Sequence, residues 1–262
     1  MRRSKITAIV LAAGKGERLN DLTAQIPKPM LRVRGEIILA HNLQWLKNNG
    51  LNNIFINLHH QPDVIKRHFT DGKNWGLHIQ YSFEETLLGT AGAVKKIFTE
   101  YSQEFSSGPI LVIYGDNFYP TTYNLNAMIA VHEKNQRDLT IGLYPNADKA
   151  NTRHCGVALR GKDNIIKHFI EKPPIDLGHP VQDDLTKEIL TRGYLNAAVY
   201  LLGPRVLEFI PTGVSDFGKD IFPRLLKNNF SVYGHVFSES PITVDTLELY
   251  QKTNTVPGVL IP

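Results

Sequence analysis

The sequence predicts an α/β fold, a Rossmann-like, mostly parallel mixed sheet flanked by helices, with a small β insertion in its second half. Three observations carry that expectation. Apolar stretches of strand length alternate with stretches of helical spacing through the first 138 residues. The first strand is apolar almost throughout and rich in branched residues, as in a strand buried on both faces. From about Leu139 the alternation gives way to shorter strands.

Ile6 to Ala12 reads as the first strand, ended by Gly14. Glu36 to Asn49 shows helical spacing, with Ile38, Leu39, Leu43 and Leu46 on one side and Asn49-Gly50 as its stop. The alternation continues with a strand at Asn53 to Leu58, a helix at Pro62 to Phe69, a strand at Leu77 to Phe83, a helix at Thr90 to Glu100, a strand at Ile110 to Tyr114 and a helix at Leu125 to Lys134. Right-handed crossovers would join these strands in parallel, and ligands in such sheets bind at the carboxyl ends of the strands. Thr140 to Leu143, Gly156 to Leu159 and Ile165 to Glu171 read as short strands, followed by the polar segment Lys172 to Arg192; together they look like a lid or small lobe inserted into the sheet. A strand at Tyr194 to Leu202, a helix beginning near Phe217 and the segment Val232 to Phe237 return the chain to the core. No internal repeat occurs, and nothing resembles a hexapeptide β-helix at the end. One domain over 1–262 is expected, with halves of about 1–138 and about 139–262.

With 262 residues and 42% hydrophobic content the chain can bury a large core. Lys and Arg total 29 against 25 Asp and Glu, and the +4 balance is a modest basic excess rather than a nucleic-acid tail, and suits anionic small molecules equally well. Tyr and Phe are not interleaved with basic residues, so nucleic-acid stacking is not expected. Cys155 is the single cysteine, which excludes an intrachain disulfide, and Met1 to Leu19 has no signal-peptide pattern; the expected compartment is the cytosol. No apolar run approaches the roughly 20 residues of a membrane helix, so no membrane partner is expected. His59-His60 and the other histidines lack zinc-ligand spacing. A homo-oligomer is compatible with the chain.

The chemistry is carried by Leu11-Ala12-Ala13-Gly14-Lys15-Gly16-Glu17-Arg18-Leu19, directly after the first strand. Its two glycines let backbone N–H groups approach phosphate oxygens, and Lys15 and Arg18 add positive charge. The dinucleotide-binding pattern would need glycine at Leu19; the Walker A pattern would need glycine at Ile9 and a hydroxyl at Gly16. Pro27-Lys28-Pro29-Met30 follows, and two prolines fix the backbone around one lysine. Further on come Leu88-Gly89-Thr90-Ala91-Gly92-Ala93, Tyr114-Gly115-Asp116-Asn117, Cys155-Gly156-Val157, Glu171-Lys172-Pro173, Asn196-Ala197-Ala198-Val199-Tyr200 and Asp216-Phe217-Gly218-Lys219-Asp220. In this order these motifs resemble the sugar-1-phosphate nucleotidyltransferases, over most of the chain. The Gly115-Asp116-Asn117, Cys155-Gly156 and Asp216-Phe217-Gly218 signatures look most like mannose-1-phosphate or manno-heptose-1-phosphate guanylyltransferases.

The resemblance implies attack of a sugar-phosphate oxygen on the α-phosphorus of a nucleoside triphosphate, so the substrates expected are an NTP and a sugar 1-phosphate. It implies catalytic roles for Arg18, Lys28 and Asp116, nucleotide contacts from Leu11, Ala12, Ala13, Gly14, Lys15, Gly16, Glu17, Gly89 and Thr90, and sugar-phosphate contacts from Gly156, Glu171, Lys172 and Asn196. Asp116, a hard carboxylate ending an apolar strand, is expected to bind Mg²⁺.

Four departures from the family pattern stand out. The family's W-x-D-I-G-T-P aspartate aligns with Thr243, while Asp245 lies two residues on and on the same face of an extended strand, about 6–7 Å away; Asp245 is the expected second metal ligand, and Thr243, or Asp116 and the phosphates without a second carboxylate, are the alternatives. Ala198 replaces a glycine and adds a methyl group beside the sugar pocket. Leu87 replaces a proline. Glu85 and Thr86 offer no amide of the kind used for uracil or thymine, and the Glu85 carboxylate suits guanine N1 and N2. GTP and a mannose- or manno-heptose-type sugar are therefore expected; a uridylyl-, thymidylyl- or cytidylyltransferase, or a weakly active regulatory homologue that binds an NDP-sugar, are the alternatives.

Overall fold

Burial of every residue of β1 (Thr7–Leu11) organises the molecule. The structure, a computed structural model, describes residues 6–19, 21–24, 26–105, 108–147, 152, 154–173 and 183–254, and at 17 and 21 the backbone only. Ala8 and Val10 enter one core with Leu43 of α2 (Ile38–Asn48), Phe69 of α3 (Pro62–Phe69) and Met128 of α5 (Leu125–Lys134). Ile9 and Leu11 enter the other, with Val94 of α4 (Gly89–Glu100), Val206 of α7 (Pro204–Phe209) and Phe222 of α8 (Phe222–Lys227). Alternate side chains of one strand thus face two helical layers, which is why β1 carries no polar face.

β4 (Asn53–Leu58) and β6 (Ile110–Tyr114) pair in parallel on either side of β1, with β5 (His78–Phe83) parallel to β4. β11 (Tyr194–Leu202) returns antiparallel to β6 and carries β8 (Leu139–Pro145), to which β12 (Val232–Val236) is parallel. The hairpin of β9 (Gly156–Arg160) and β10 (Ile166–Glu171) joins the other end of β11. Among the described residues this is one sheet of nine strands. The short strands expected as an inserted lobe therefore extend the main sheet.

Several elements differ from the pattern expected. Glu36–Ile37 forms β3, paired with β2 (Arg32–Val33), so α2 starts at Ile38. The polar segment after Lys172 lies outside the described residues at 174–182 and then forms α6 (Asp184–Arg192), capped by the Asp183 carboxylate accepting from Thr186 N–H; Ile189 is its one buried residue, with Leu190 packed beside it. α9 (Leu247–Asn254) exposes Leu247 and Leu249 and is tied down by Asn254, whose side chain accepts from Arg34 N–H (2.9 Å) and donates to the Arg32 carbonyl (3.1 Å). A π-turn at Phe217–Ile221 precedes α8.

β11 breaks its register between Asn196 and Tyr200, where Ala198 takes a left-handed φ of 56°. The buried Tyr119 hydroxyl donates to the Ala198 carbonyl (2.8 Å) and accepts from Tyr114 N–H (3.1 Å), so it stands where β6 and β11 would otherwise bond directly. The sheet is thereby parted at the carboxyl end of β6. Among the described residues no helix is long and apolar enough to cross a membrane.

Candidate active site

Leu11 is the register partner of both Asn57 and Tyr114, so the carboxyl ends of β1, β4 and β6 meet along one line. Two adjoining cavities open there. The larger, of about 530 Å³, is lined by Lys15, Gly16, Arg18, Lys28, Asp116 and Asp245. The smaller, of about 280 Å³, is lined by Leu11 to Gly14 and Pro29, by Asn57, Glu84 and Leu87, and by Gly89, Thr90, Tyr114, Asp116 and Asp216. Asp116 and Leu87 stand at the boundary of the two.

Cations dominate the larger cavity. Lys28 starts a 3-10 turn after Pro27, and its aliphatic stem is buried while Nζ lies 2.8 Å from Asp116 Oδ2 and 2.5 Å from Asp245 Oδ1. Burial opposes the ammonium charge, but Asp116 and Asp245 outweigh it and hold Lys28 above its ordinary value. Asp245 moves the other way: burial would raise it, and Lys28, with help from Arg18, takes it below the usual carboxylate range. Arg18 Nη2 is 3.5 Å from Asp245 Oδ1, and its side chain lines the cavity while 70% exposed. The turn containing Arg18 is fixed from Gly16, whose carbonyl accepts from Leu19 N–H (2.9 Å) and the Thr23 hydroxyl (3.0 Å).

Asp245 reaches Asp116 because β13 (Ile242–Thr243) pairs with β7 (Asn117–Phe118), with Thr243 opposite Asn117. Val244 is then buried with Leu19, Leu31 and Phe118, and Asp245 emerges beside Lys28. Two carboxylates around one cation position are a donor set for a hard, oxygen-seeking ion such as Mg²⁺. No group of three or more His, Cys, Asp or Glu among the described residues is placed to hold a metal, so phosphate oxygens and water would complete the shell of an ion bound there.

The smaller cavity has a different chemistry. Glu84 is buried, with Oε1 accepting from Asn57 Nδ2 (2.6 Å) and Oε2 from Leu88 N–H (2.9 Å). Asn57 Oδ1 in turn accepts from Ala12 N–H (2.6 Å) in the phosphate loop. Thr90 donates to Asp216 Oδ2 (2.9 Å) and accepts from Phe217 N–H (2.9 Å), which ties the start of α4 to the π-turn.

On the far side of Tyr114, Glu171 is the register partner of Gly156, and its carboxylate occupies a slot between Gly156 and Gly218. A Cβ at Gly156 would stand 2.7 Å from Glu171 Oε2, and one at Gly218 would collide with the same oxygen. Burial raises the Glu171 carboxyl above its ordinary value, with Asp216 adding to the effect. Lys172 is exposed and has φ 47°, its N–H donating to the Cys155 carbonyl (3.2 Å). Asn196 donates to the Tyr200 hydroxyl (2.8 Å) and accepts from Ala198 N–H (3.0 Å), so its amide supports the left-handed residue in β11.

The sequence profile described as "Nucleotidyl transferase" matches residues 7–240, which include the Glu171 slot and every residue named at the two cavities except Asp245. The chain belongs to the nucleotidyl transferase family. Among similar proteins, UTP–glucose-1-phosphate uridylyltransferase of Synechocystis is 30% identical over 236 residues, 86% of this chain and 56% of that protein. Mannose-1-phosphate guanylyltransferase of Mycobacterium tuberculosis is 29% identical over 238 residues, 90% and 60% of the two chains. The present chain thus spans little more than half the length of these relatives. Among solved structures, HddC of Yersinia pseudotuberculosis aligns with a TM-score of 0.72 at 22% identity, over 95% of this chain and 98% of that one. A putative glucose-1-phosphate thymidylyltransferase of Bacillus anthracis aligns with a TM-score of 0.76 at 22% identity, over 95% and 94%. These two support the Rossmann-like nucleotidyl transferase fold.

Within this nucleotidyl transferase framework, Arg18, Lys28, Asp116 and Asp245 converge, and Leu11, Ala12, Ala13, Gly14, Lys15, Gly16, Gly89 and Thr90 line one cavity or the other. Glu17 begins the 3-10 turn that carries Arg18; its side chain lies outside the described residues. Two assignments need correction. Glu85 and Thr86 are exposed and line neither cavity; the buried carboxylate is Glu84. Glu84 N–H donates to the Leu58 carbonyl (2.8 Å), which continues the β4–β5 ladder one residue past Phe83, so the pleat turns Glu84 inward and Phe83 outward. Asn57, Tyr114 and Asp216 are further polar lining residues not expected in the site; a lone amide inside the apolar run Ile54 to Leu58 was the available signal for the first.

Proposed function

We propose that this chain joins a nucleoside triphosphate to a sugar 1-phosphate, giving an NDP-sugar and pyrophosphate. The observation that carries the proposal is the Lys28 ammonium, buried at its stem and facing a cavity of about 530 Å³ beside a second cavity of base-binding chemistry. Two anions that repel each other must be aligned for a sugar-phosphate oxygen to attack the α-phosphorus, and fixed cations provide that alignment. Lys28 is set to contact the phosphoryl group transferred, Arg18 the outer phosphates, and the Gly14 to Gly16 backbone to wrap the chain of phosphates. Asp116 and Asp245 would hold Mg²⁺, which when bound neutralises charge on the phosphates. Glu171 would accept from a sugar hydroxyl and Lys172 would meet the sugar phosphate.

The base preference rests on Glu84. An ionised carboxylate only accepts, so the edge of the base facing it must donate; guanine presents N1–H and N2–H together. Uracil presents N3–H alone, and a uridylyltransferase reading draws support from the Synechocystis relative. The sugar favoured is mannose- or manno-heptose-type, in line with the guanylyltransferase relative. The cytosol is the compartment proposed, a reading that the single Cys155 supports. The test is a panel of four triphosphates with mannose 1-phosphate, a manno-heptose 1-phosphate and glucose 1-phosphate in the presence of Mg²⁺, read as pyrophosphate release. GTP with a manno-configured sugar is expected to give the highest kcat/KM. A UTP preference would overturn the base assignment, and tight NDP-sugar binding with no pyrophosphate from any pair would overturn the enzyme reading in favour of a binding homologue.

A further inference from the structure

Asn57 is buried at the end of β4 and takes part in no step of the reaction above, yet it touches both the phosphate loop and the carboxylate assigned to the base. Its orientation is not free. Ala12 N–H can only donate, so the atom 2.6 Å from it must be Oδ1. Nδ2 is then turned to Glu84, 2.6 Å from Oε1, and demands an acceptor there. Leu88 N–H, 2.9 Å from Oε2, demands another. Two donors on two oxygens leave room at position 84 for a carboxylate and not for an amide, because an amide would turn its NH₂ towards one of these donors.

We propose that Asn57 is a positioning residue that sets base recognition, by fixing Glu84 as a double acceptor and locking it to the phosphate loop through Ala12. This rests on the nucleotidyl-transfer reading and deepens it. The chain Ala12 N–H to Asn57 to Glu84 to Leu88 N–H links the backbone that wraps the phosphates to the wall of the base cavity, so a base and a triphosphate are held in one register. The partner chemistry is a nucleobase edge carrying N–H donors.

Asn57→Asp separates the two contacts: it is nearly isosteric and keeps an acceptor for Ala12 N–H, but it sets a carboxylate against Glu84. The KM for GTP and its Kd by titration calorimetry are expected to rise about 10- to 100-fold, the effect of losing one hydrogen bond to a charged group, with the change in the nucleotide KM exceeding that in the sugar-phosphate KM. Glu84→Gln alone is expected to lose nucleotide affinity to a similar extent, through the clash of donors. In Asn57→Asp/Glu84→Gln the amide introduced at position 84 donates to the carboxylate introduced at position 57 and accepts from Leu88 N–H, so stability and nucleotide affinity recover in part, with preference moving from GTP towards UTP. Thermal unfolding of each variant separates loss of fold from loss of binding, and Asn57→Ser, smaller and uncharged, is the second variant if Asn57→Asp does not fold. If the effects of the two single changes simply multiply in the double variant, or if Asn57→Asp and Asn57→Ser leave nucleotide Kd within 2-fold of wild type, the proposal is overturned. Failure of the underlying reading shows separately, in the wild-type protein, as no binding of any triphosphate.

Discussion

Lys28→Met removes the ammonium between Asp116 and Asp245 while keeping an unbranched apolar stem of similar length in the buried slot. Breaking a fully buried ion pair from one side costs about 3–5 kcal/mol. Here the carboxylates are 33% and 36% exposed, and water takes up much of the loss, so the expected destabilisation is about 1–2 kcal/mol. In a domain of this size that lowers Tm by about 2–8 °C. Turnover should fall far more, by about 10²- to 10³-fold, the effect of removing one fixed charge donor from a transition state. The assay is pyrophosphate release at saturating nucleotide and Mg²⁺, with thermal unfolding alongside. Lys28→Met/Asp245→Asn should recover part of the stability and none of the turnover, since it relieves two facing carboxylates without restoring a cation. The pH dependence follows from the shifts. Asp245 lies below 3.8, so its contribution is full above that value and is lost as pH falls through the depressed one. Lys28 lies above 10.5, so its contribution is full below that value and is lost as pH rises through the raised one. The Tm difference between wild type and Lys28→Met is therefore flat from about pH 5 to 10 and shrinks at the extremes. Turnover of Lys28→Met within about 3-fold of wild type, or a Tm difference that peaks inside that window, would refute the reasoning.

His132, buried against the Thr140 hydroxyl at 2.9 Å, is pushed down to about 4 by burial. The unfolded chain takes up its proton near pH 6.5, so stability should fall as pH drops from there to about 4, by up to about 1.4 kcal/mol per unit; His132→Gln should flatten that limb in denaturant titrations. Glu171, raised by burial and then by Asp216, carries a penalty at neutral pH that is relieved as pH falls through the raised value and is absent below 4.5. Glu171→Gln is accordingly expected to raise Tm by about 1–4 °C at pH 7 while raising the sugar-phosphate KM about 10-fold or more; a lower Tm would contradict it. Glu85→Ala, on an exposed side chain outside both cavities, should leave kcat/KM within about 2-fold, and a larger loss in steady-state kinetics would restore Glu85 to the base site.

Much of the site was legible because its positions follow from local chemistry. Pro27 and Pro29 fix the backbone of Lys28, and an apolar strand ending in Gly115-Asp116 delivers a carboxylate to the carboxyl edge of the sheet whatever the rest of the chain does. The strands flanking β1 were legible for the same reason, being apolar on both faces. Asp245 was reached by strand periodicity from Thr243, and the β13–β7 pairing with buried Val244 shows how it arrives at Lys28. α6 and α9 were not legible because they are short, nine and eight residues, and bury little of their surface, so few apolar positions mark them out from the polar segments around them.

What the sequence determined by itself is the alternation of main-sheet strands and helices from β1 to α5 and the phosphate loop with its cations; each depends on residues within a few positions of one another. What only the tertiary structure decided is which carboxylate lines the smaller cavity and how the sheet parts at the carboxyl end of β6. Glu84 rather than Glu85 faces the cavity because β5 pairs one residue further along β4, and its two oxygens are claimed by Asn57, 27 positions away, and by Leu88. Ala198 holds a left-handed turn because Tyr119, 79 positions away, places a hydroxyl between β6 and β11. The physical reason is the same in both: strand register is set by packing across the sheet, and a slip of one residue exchanges the inward for the outward face, a choice that no local pattern records.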